Sequence, residues 1–270
     1  MPAALRLIHP APAAAVVLLS GALALILARQ AGRPLGWPVA LIILSVAGSQ
    51  VATGAFNDWA DRERDAGLRP EKPIPAGELR PDAALAIGIA GLAAQLISSA
   101  LLGPLPLLLG GIAVGSALLY DLVLSRTPLS VLPYVVSFGV LPAWIASGIG
   151  LSIDRVAGAI ALVGPFAAAA HLANTLRDFP LDAAARSRNL AQLLGPALTR
   201  WLAVGLALGV GAGVAYAFAL GGRLSPASAA LGALGLAAVA IGATGTRRLW
   251  PAMLVAGVCW TIAWALATGG

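Results

Sequence analysis

The chain has 270 residues, 59% of them hydrophobic and only 10% charged, with a mean hydropathy of +0.90. That composition excludes an ordinary soluble domain and leaves an integral membrane protein. The net charge of +6 fits membrane topology better than nucleic-acid binding, and a single cysteine, Cys259 in the last apolar stretch, excludes disulfides and thiolate metal sites.

A helix that crosses the hydrocarbon layer needs roughly 20 apolar residues, because every backbone N–H and C=O must be paired inside the segment. Nine stretches meet that need in chain order: 12–29, 38–56, 82–102, 104–121, 129–150, 156–176, 197–220, 226–246 and 250–268. They predict an all-α membrane protein, a bundle of nine transmembrane helices forming one domain over residues 1–270. The first stretch has Arg6 as its only basic flank, so it reads as an uncleaved helix and not as a signal peptide. Glycine, 32 residues in all, and alanine let such helices approach closely. Pro104, Pro106, Pro133 and Pro142 sit in or beside the apolar stretches and predict kinks.

Two sizeable loops are left, 57–81 after the second stretch and 177–196 after the sixth, and each begins on an acidic cluster. The first reads Asn57, Asp58, Asp61, Asp65 and the second Asn174, Asp178, Asp182. Both place an Asn, an Asp four residues on and another Asp eight residues on, which suggests an internal duplication. In helical geometry Asn57, Asp61 and Asp65 share a face, with Asp58 beside it. Anionic, oxygen-only ligands suit a hard cation such as Mg2+. Interfacial salt bridging is the alternative for the first cluster, since Arg62, Arg64 and Arg69 are interleaved with its acids. The repeated spacing weighs against it. Pro180 disfavours helix at Phe179, so the second cluster is expected to straddle a helix break.

Basic residues accompany both clusters: Arg64, Arg69 and Lys72 in the first loop, Arg126 in a short loop, Arg186 and Arg188 in the second. With metal ions they can neutralise a diphosphate; their competing role is to enforce topology. Thirteen of the 17 Lys and Arg fall on the side of the N-terminus, leaving Arg29, Arg33, Arg155 and Arg223 on the other. The positive-inside rule then places the N-terminus and both acidic loops in the cytoplasm, in a multi-pass plasma or inner membrane protein.

These motifs resemble the UbiA superfamily of intramembrane prenyltransferases, marked by NDxxDxxxD after the second helix and DxxxD after the sixth. Here these are Asn57, Asp58, Asp61 and Asp65, and Asp178 with Asp182; the run from Arg69 to Leu79 also resembles the tail of the first motif. The resemblance covers the whole chain. It implies a helical bundle around a central cavity, with both motifs at a cytoplasmic cap and two Mg2+ ions bridging them to the diphosphate of an isoprenyl donor. By that resemblance Asn57, Asp61, Asp178 and Asp182 are the principal metal ligands, supported by Asp58, Asp65 and Asn174. Asp61, Asp178, Asp182 and Arg126 would carry the ionisation, and Arg64, Arg69, Lys72, Arg186 and Arg188 would hold the donor.

The expected reaction is transfer of a prenyl group, through an allylic carbocation, to a small or lipid-soluble acceptor such as an aromatic, a cyclitol or a polyol. Metal ions and basic side chains stabilise the diphosphate charge that grows as the carbon–oxygen bond breaks. A terpene cyclase of the same superfamily is the nearest alternative. A transporter is the alternative from another class, but transporters place ionisable groups near the bilayer midplane, where these apolar stretches have almost none. The sequence departs from the family's Tyr-then-Lys pattern after the fourth helix, where Tyr120 and Asp121 are followed by Ser125 and Arg126. Arg126 is expected to replace the lysine, and Asp121 to pair with Arg126 or, alternatively, to orient an acceptor. Gln50, Thr53, Gln95, Ser137 and His171 are expected to make interhelical hydrogen bonds.

Overall fold

The computed structural model describes residues 1–220 and 224–268, and among them every regular element is helical. In chain order these are α1 (Ala3–Leu7), α2 (Pro10–Gln30), α3 (Trp37–Leu68), α4 (Pro81–Leu102), α5 (Pro104–Leu119) and a π-helical turn (Tyr120–Leu124). There follow α6 (Leu132–Gly139), α7 (Leu141–Gly148), a 3-10 turn (Ile153–Val156), α8 (Ala157–Arg177), α9 (Phe179–Ala184), α10 (Leu190–Leu220), α11 (Pro226–Gly242) and α12 (Thr246–Thr268). Arg223, counted above in the charge asymmetry, lies outside the described residues.

Among the described residues six helices are long and apolar enough to cross a membrane: α2, α3, α4, α5 with its π turn, α8 with its 3-10 turn, and α10. The stretch 129–150 is apolar and helical over Leu132–Gly148 but is interrupted once. It forms two eight-residue helices, α6 and α7, that meet at Val140, and Pro133 and Pro142 sit at the start of each. Proline is tolerated in a first helical turn, where its missing N–H is not needed, so each proline opens a new helix. The same device acts in α10, where Gly195 (φ 75°, ψ 165°) and Pro196 divide a short entry segment from the main helix. α11, with 17 residues, is about 25 Å long at 1.5 Å per residue.

The first acidic cluster also departs from expectation, because 57–68 is helix and not loop. α3 runs unbroken for 32 residues. At 1.5 Å per residue that is about 48 Å, well beyond a hydrocarbon layer of about 30 Å. Its last turns carry the acids past the apolar part of the bundle.

Packing follows the small residues. A Cβ on Gly48 of α3 would lie 2.7 Å from the Gly91 carbonyl oxygen of α4, and one on Gly91 would lie 2.7 Å from the Ala52 nitrogen, so these backbones touch directly. One apolar core joins α2, α3 and α7 through Leu23, Ile42, Val46, Trp144 and Ile145. A second joins α8, α10, α11 and α12 through Leu172, Val204, Val239, Met253 and Trp260. Buried polar groups between helices are bonded to one another: the Ser45 hydroxyl donates to the Gln95 carbonyl at 2.9 Å, and Trp144 Nε1 donates to Ser99 Oγ at 3.2 Å. Gln95 Nε2 reaches the same Ser99 oxygen at 3.4 Å within α4, not the interhelical bond expected of it, whereas Ser137 Oγ donates across to the Ala113 carbonyl at 2.8 Å. Thr53 instead bonds back to Ser49 of its own helix at 3.0 Å.

Candidate active site

The i, i+3, i+7 spacing of Asp58, Asp61 and Asp65 on α3 turns these acids inward, with Asn57 half-buried beside them. Asp58, Asp61 and Asp65 are 2%, 5% and 2% exposed, an unusual depth for three carboxylates on one helix. Each is held by a base. Lys72 Nζ lies 2.8 Å from Asp58 Oδ1 and 2.7 Å from Asp65 Oδ2, because the chain after α3 folds back under the helix. Pro73 and Ile74 bury themselves in that return. Asp61 is gripped from both sides, by Arg64 one turn on and by Arg126 Nη2 at 2.6 Å from the connection after α5.

The second cluster is built across a break. Asn174 lies in the last turn of α8, Asp178 sits at the junction, and Asp182 lies in α9, with Pro180 in the first turn of that short helix. Pro180 thus starts a helix as well as interrupting one. Asp178 Oδ2 pairs with Arg69 Nη2 at 3.2 Å and with Arg177 at 3.3 Å, and Asp182 Oδ2 accepts from Asn189 Nδ2 at 2.9 Å. Burial pushes the Asp182 carboxyl above its ordinary range and the neighbouring Asp178 adds to this, while Asn189, Arg64 and Arg69 pull it down.

Three distant segments therefore meet at one end of the bundle: the end of α3 with its return loop, the turn after α5, and the α8–α9 junction. Arg69 links the first to the third and Arg126 links the first to the second. The backbone closes the circle, with Arg188 N donating to the Arg126 carbonyl at 3.1 Å. The side chains of Arg186 and Arg188 are exposed and make no ion pair among the described residues. No three His, Cys, Asp or Glu side chains converge on a single point among the described residues. The acids are instead spread over their basic partners, which screen carboxylates that would repel one another.

One expected pair is not made. Asp121 does not meet Arg126; its Oδ1 accepts from Asn57 Nδ2 at 3.1 Å, and Arg126 goes to Asp61 because the π turn swings it toward α3. His171, 1% exposed, lies 3.4 Å from Ser130 Oγ through Nε2 and stacks on Tyr134 with ring centroids 4.2 Å apart. Tyr120 meets both rings edge-on, at 5.1 Å from Tyr134 and 5.5 Å from His171. This aromatic wall went unseen in the sequence, since its members come from the π turn, α6 and α8. His9 was missed too: at a left-handed turn (φ 48°) before α2, it brings Nε2 to 3.2 Å from Asp58 Oδ1, and Arg6 pairs with Glu78 beside it. The available signal was a histidine directly before Pro10, a proline well placed to start a helix.

As a donor set the acids and amides offer only oxygen to a cation, and Oδ2 of Asp58 is buried with no hydrogen-bond partner. That chemistry fits Mg2+, which takes carboxylate oxygens and keeps waters and substrate phosphate in its remaining positions. The open groove of about 470 Å³ on the flank between α8 and α10, lined by Leu162, Pro165, Trp201 and Leu206, is apolar and contains none of these groups.

The chain matches the UbiA prenyltransferase family over residues 17–248. A protoheme IX farnesyltransferase from Acidiphilium cryptum (strain JF-5) is 42% identical over 78 residues, 28% of this chain and 24% of that protein. The match thus spans about a quarter of that relative's length. Among solved structures, a UbiA homologue from Archaeoglobus fulgidus bound to GPP and Mg2+ superposes with a TM-score of 0.74 at 18% identity, covering 99% of both chains. The apo UbiA homologue from Aeropyrum pernix K1 gives 0.74 at 21% identity, covering 93% of this chain and 96% of that one.

Proposed function

The chain belongs to the UbiA prenyltransferase family, and on that premise we propose that it transfers a prenyl group from an isoprenyl diphosphate to a small or lipid-soluble acceptor. In this reading nine membrane-crossing segments, α6 and α7 counting as one, enclose a central cavity with the acidic segments at its cytoplasmic cap. Asn57, Asp58, Asp61 and Asp65, together with Asn174, Asp178 and Asp182, would hold two Mg2+ ions. When bound, Mg2+ neutralises charge on the diphosphate as the allylic carbon–oxygen bond breaks. Arg64, Arg69, Lys72 and Arg126, which rest on carboxylates in this structure, turn to the diphosphate oxygens. Arg186 and Arg188 stand exposed beside them and add positive charge at the rim. The apolar bundle keeps water from the carbocation until the acceptor captures it.

The observation that carries this reading is the pairing of Arg69 with Asp178, which joins the two acidic segments into one charged end. Two acidic segments joined through Arg69, with Lys72 held on the first, suit a metal–diphosphate in an oily bundle. The homologue solved with GPP and Mg2+ supports the donor class.

The experiment is diphosphate release from geranyl diphosphate by the protein in lipid nanodiscs. Release is expected to require Mg2+ and to fall by at least about a hundredfold in Asp61→Asn and in Asp178→Asn. Undiminished release in both variants would sink the proposal. Cyclised hydrocarbon formed without any acceptor would turn it toward a cyclase.

A further inference from the structure

Asp121 has a use that the proposed reaction does not yet give it. The residue is 8% exposed, its Oδ1 accepts from Asn57 Nδ2 at 3.1 Å, and its Oδ2 is buried with no partner. No cation touches it among the described residues, whereas Asp58, Asp61, Asp65 and Asp178 each hold Lys or Arg. A buried carboxylate kept for one amide bond requires an explanation.

The amide itself supplies one. A side-chain amide has a donating end and an accepting end, and which end faces which way is set by its partners. Oδ1 of Asp121 takes the Asn57 N–H, so the Asn57 carbonyl oxygen is turned away from Asp121. Asn57 is thereby fixed as an oxygen donor and cannot present its NH2 to a cation. A proton on the unpartnered Oδ2 would leave that arrangement unchanged.

The turn that carries Asp121 serves the same end. At 3.6 residues per turn, residues five apart lie about 140° from each other. Tyr120–Leu124 is instead a π turn, closed by Ser125 N donating to the Tyr120 carbonyl at 2.8 Å. Asp121 and Arg126 consequently both reach α3, one on Asn57 and the other on Asp61. Such wide single turns recur at functional sites.

We infer that Asp121 is a positioning residue that locks the Asn57 amide with its oxygen toward the bound cation, the π turn acting as a brace for the first acidic segment. The inference rests on the reading of Asn57 as a cation ligand. Partners one bond removed from a metal commonly change its affinity ten- to a hundredfold.

The test is Mn2+ binding, followed by electron paramagnetic resonance on the full chain in nanodiscs with inorganic diphosphate present, for Asn57→Ala, Asp121→Asn, Asp121→Ala and the double variant Asn57→Ala/Asp121→Ala. Asp121→Asn, isosteric but able to turn either end of its amide to Asn57, is expected to weaken Mn2+ about tenfold or more, with its thermal unfolding within the wild-type range. The double variant is expected to bind no more weakly than Asn57→Ala alone, because Asp121 acts only through Asn57. The exchanged pair Asn57→Asp/Asp121→Asn, with the amide now donating to a ligand carboxylate, is expected to recover affinity. Wild-type binding by Asp121→Asn, or losses that add in the double variant, would overturn the inference and leave the reading of Asn57 intact. Wild-type binding by Asn57→Ala would overturn that reading and the inference with it.

Discussion

At the scale of single residues, the site is organised by the bases that hold its acids. Lys72 is the plainest case, since one ammonium reaches two carboxylates that are almost fully buried. Removing one partner of a buried pair leaves an uncompensated charge, so Lys72→Met is expected to cost about 3 kcal/mol of stability in detergent. Saturating Mn2+ with diphosphate should narrow that deficit; a variant as stable as wild type without them would mean that Asp58 and Asp65 need no counter-charge. Asn189 acts on Asp182 in a subtler way. Its amide N–H favours the ionised carboxylate, against a burial that raises the carboxyl above its ordinary range. Only the ionised form can take a cation. Removing the hydrogen bond raises the carboxyl further, so Asn189→Ala should move the acidic limb of the pH–activity profile to higher pH. A limb that stays in place, measured by diphosphate release, would remove Asp182 from the cation site. The sequence placed the acids and bases near one another but could not assign partners, because Arg64, Arg69, Arg126 and Arg177 are chemically equivalent until the helices are placed.

At the scale of elements, the reach of α3 and its contact with α4 decide where the acids stand. Gly48 and Gly91 allow the two backbones to touch, and a Cβ on Gly48 would also come within 2.8 Å of the Gln95 nitrogen. The backbone cannot yield as a flexible side chain can. Gly48→Ala is therefore expected to lower stability by about 1–3 kcal/mol and to reduce diphosphate release, by tilting the acidic end of α3. Gly115→Ala, where nothing lies within 4 Å, is the control and should leave both unchanged. Equal melting temperatures for Gly48→Ala and wild type would show that this contact carries no strain. Local pattern was a partial guide to α3: the acid spacing implied a single helical face, but the fall in hydropathy after residue 56 ended the predicted span twelve residues before the helix does. It was a poor guide to 129–150, where an unbroken apolar run conceals two short helices that meet at Val140. Hydropathy measures transfer from water and is blind to where one apolar helix stops and the next starts.

At the scale of the whole molecule, charge asymmetry predicts that the acidic end faces the cytoplasm. With Cys259 replaced by alanine, a cysteine at Arg69 should resist an impermeant thiol reagent in intact cells, and one at Arg29 should react with it; the opposite labelling pattern would invert the topology. Composition and period alone determined that this is an all-helical membrane protein with two acidic motifs of matching spacing, since those properties are written in consecutive residues. Only the tertiary structure decided that Asp121 serves Asn57 while Arg126 serves Asp61, that His9 reaches Asp58 from the N-terminal turn, and that Tyr120, Tyr134 and His171 form one wall. The reason is physical: ion pairs and ring contacts depend on where distant helices cross, and that follows from close packing of many small residues together, not from any local run of the chain.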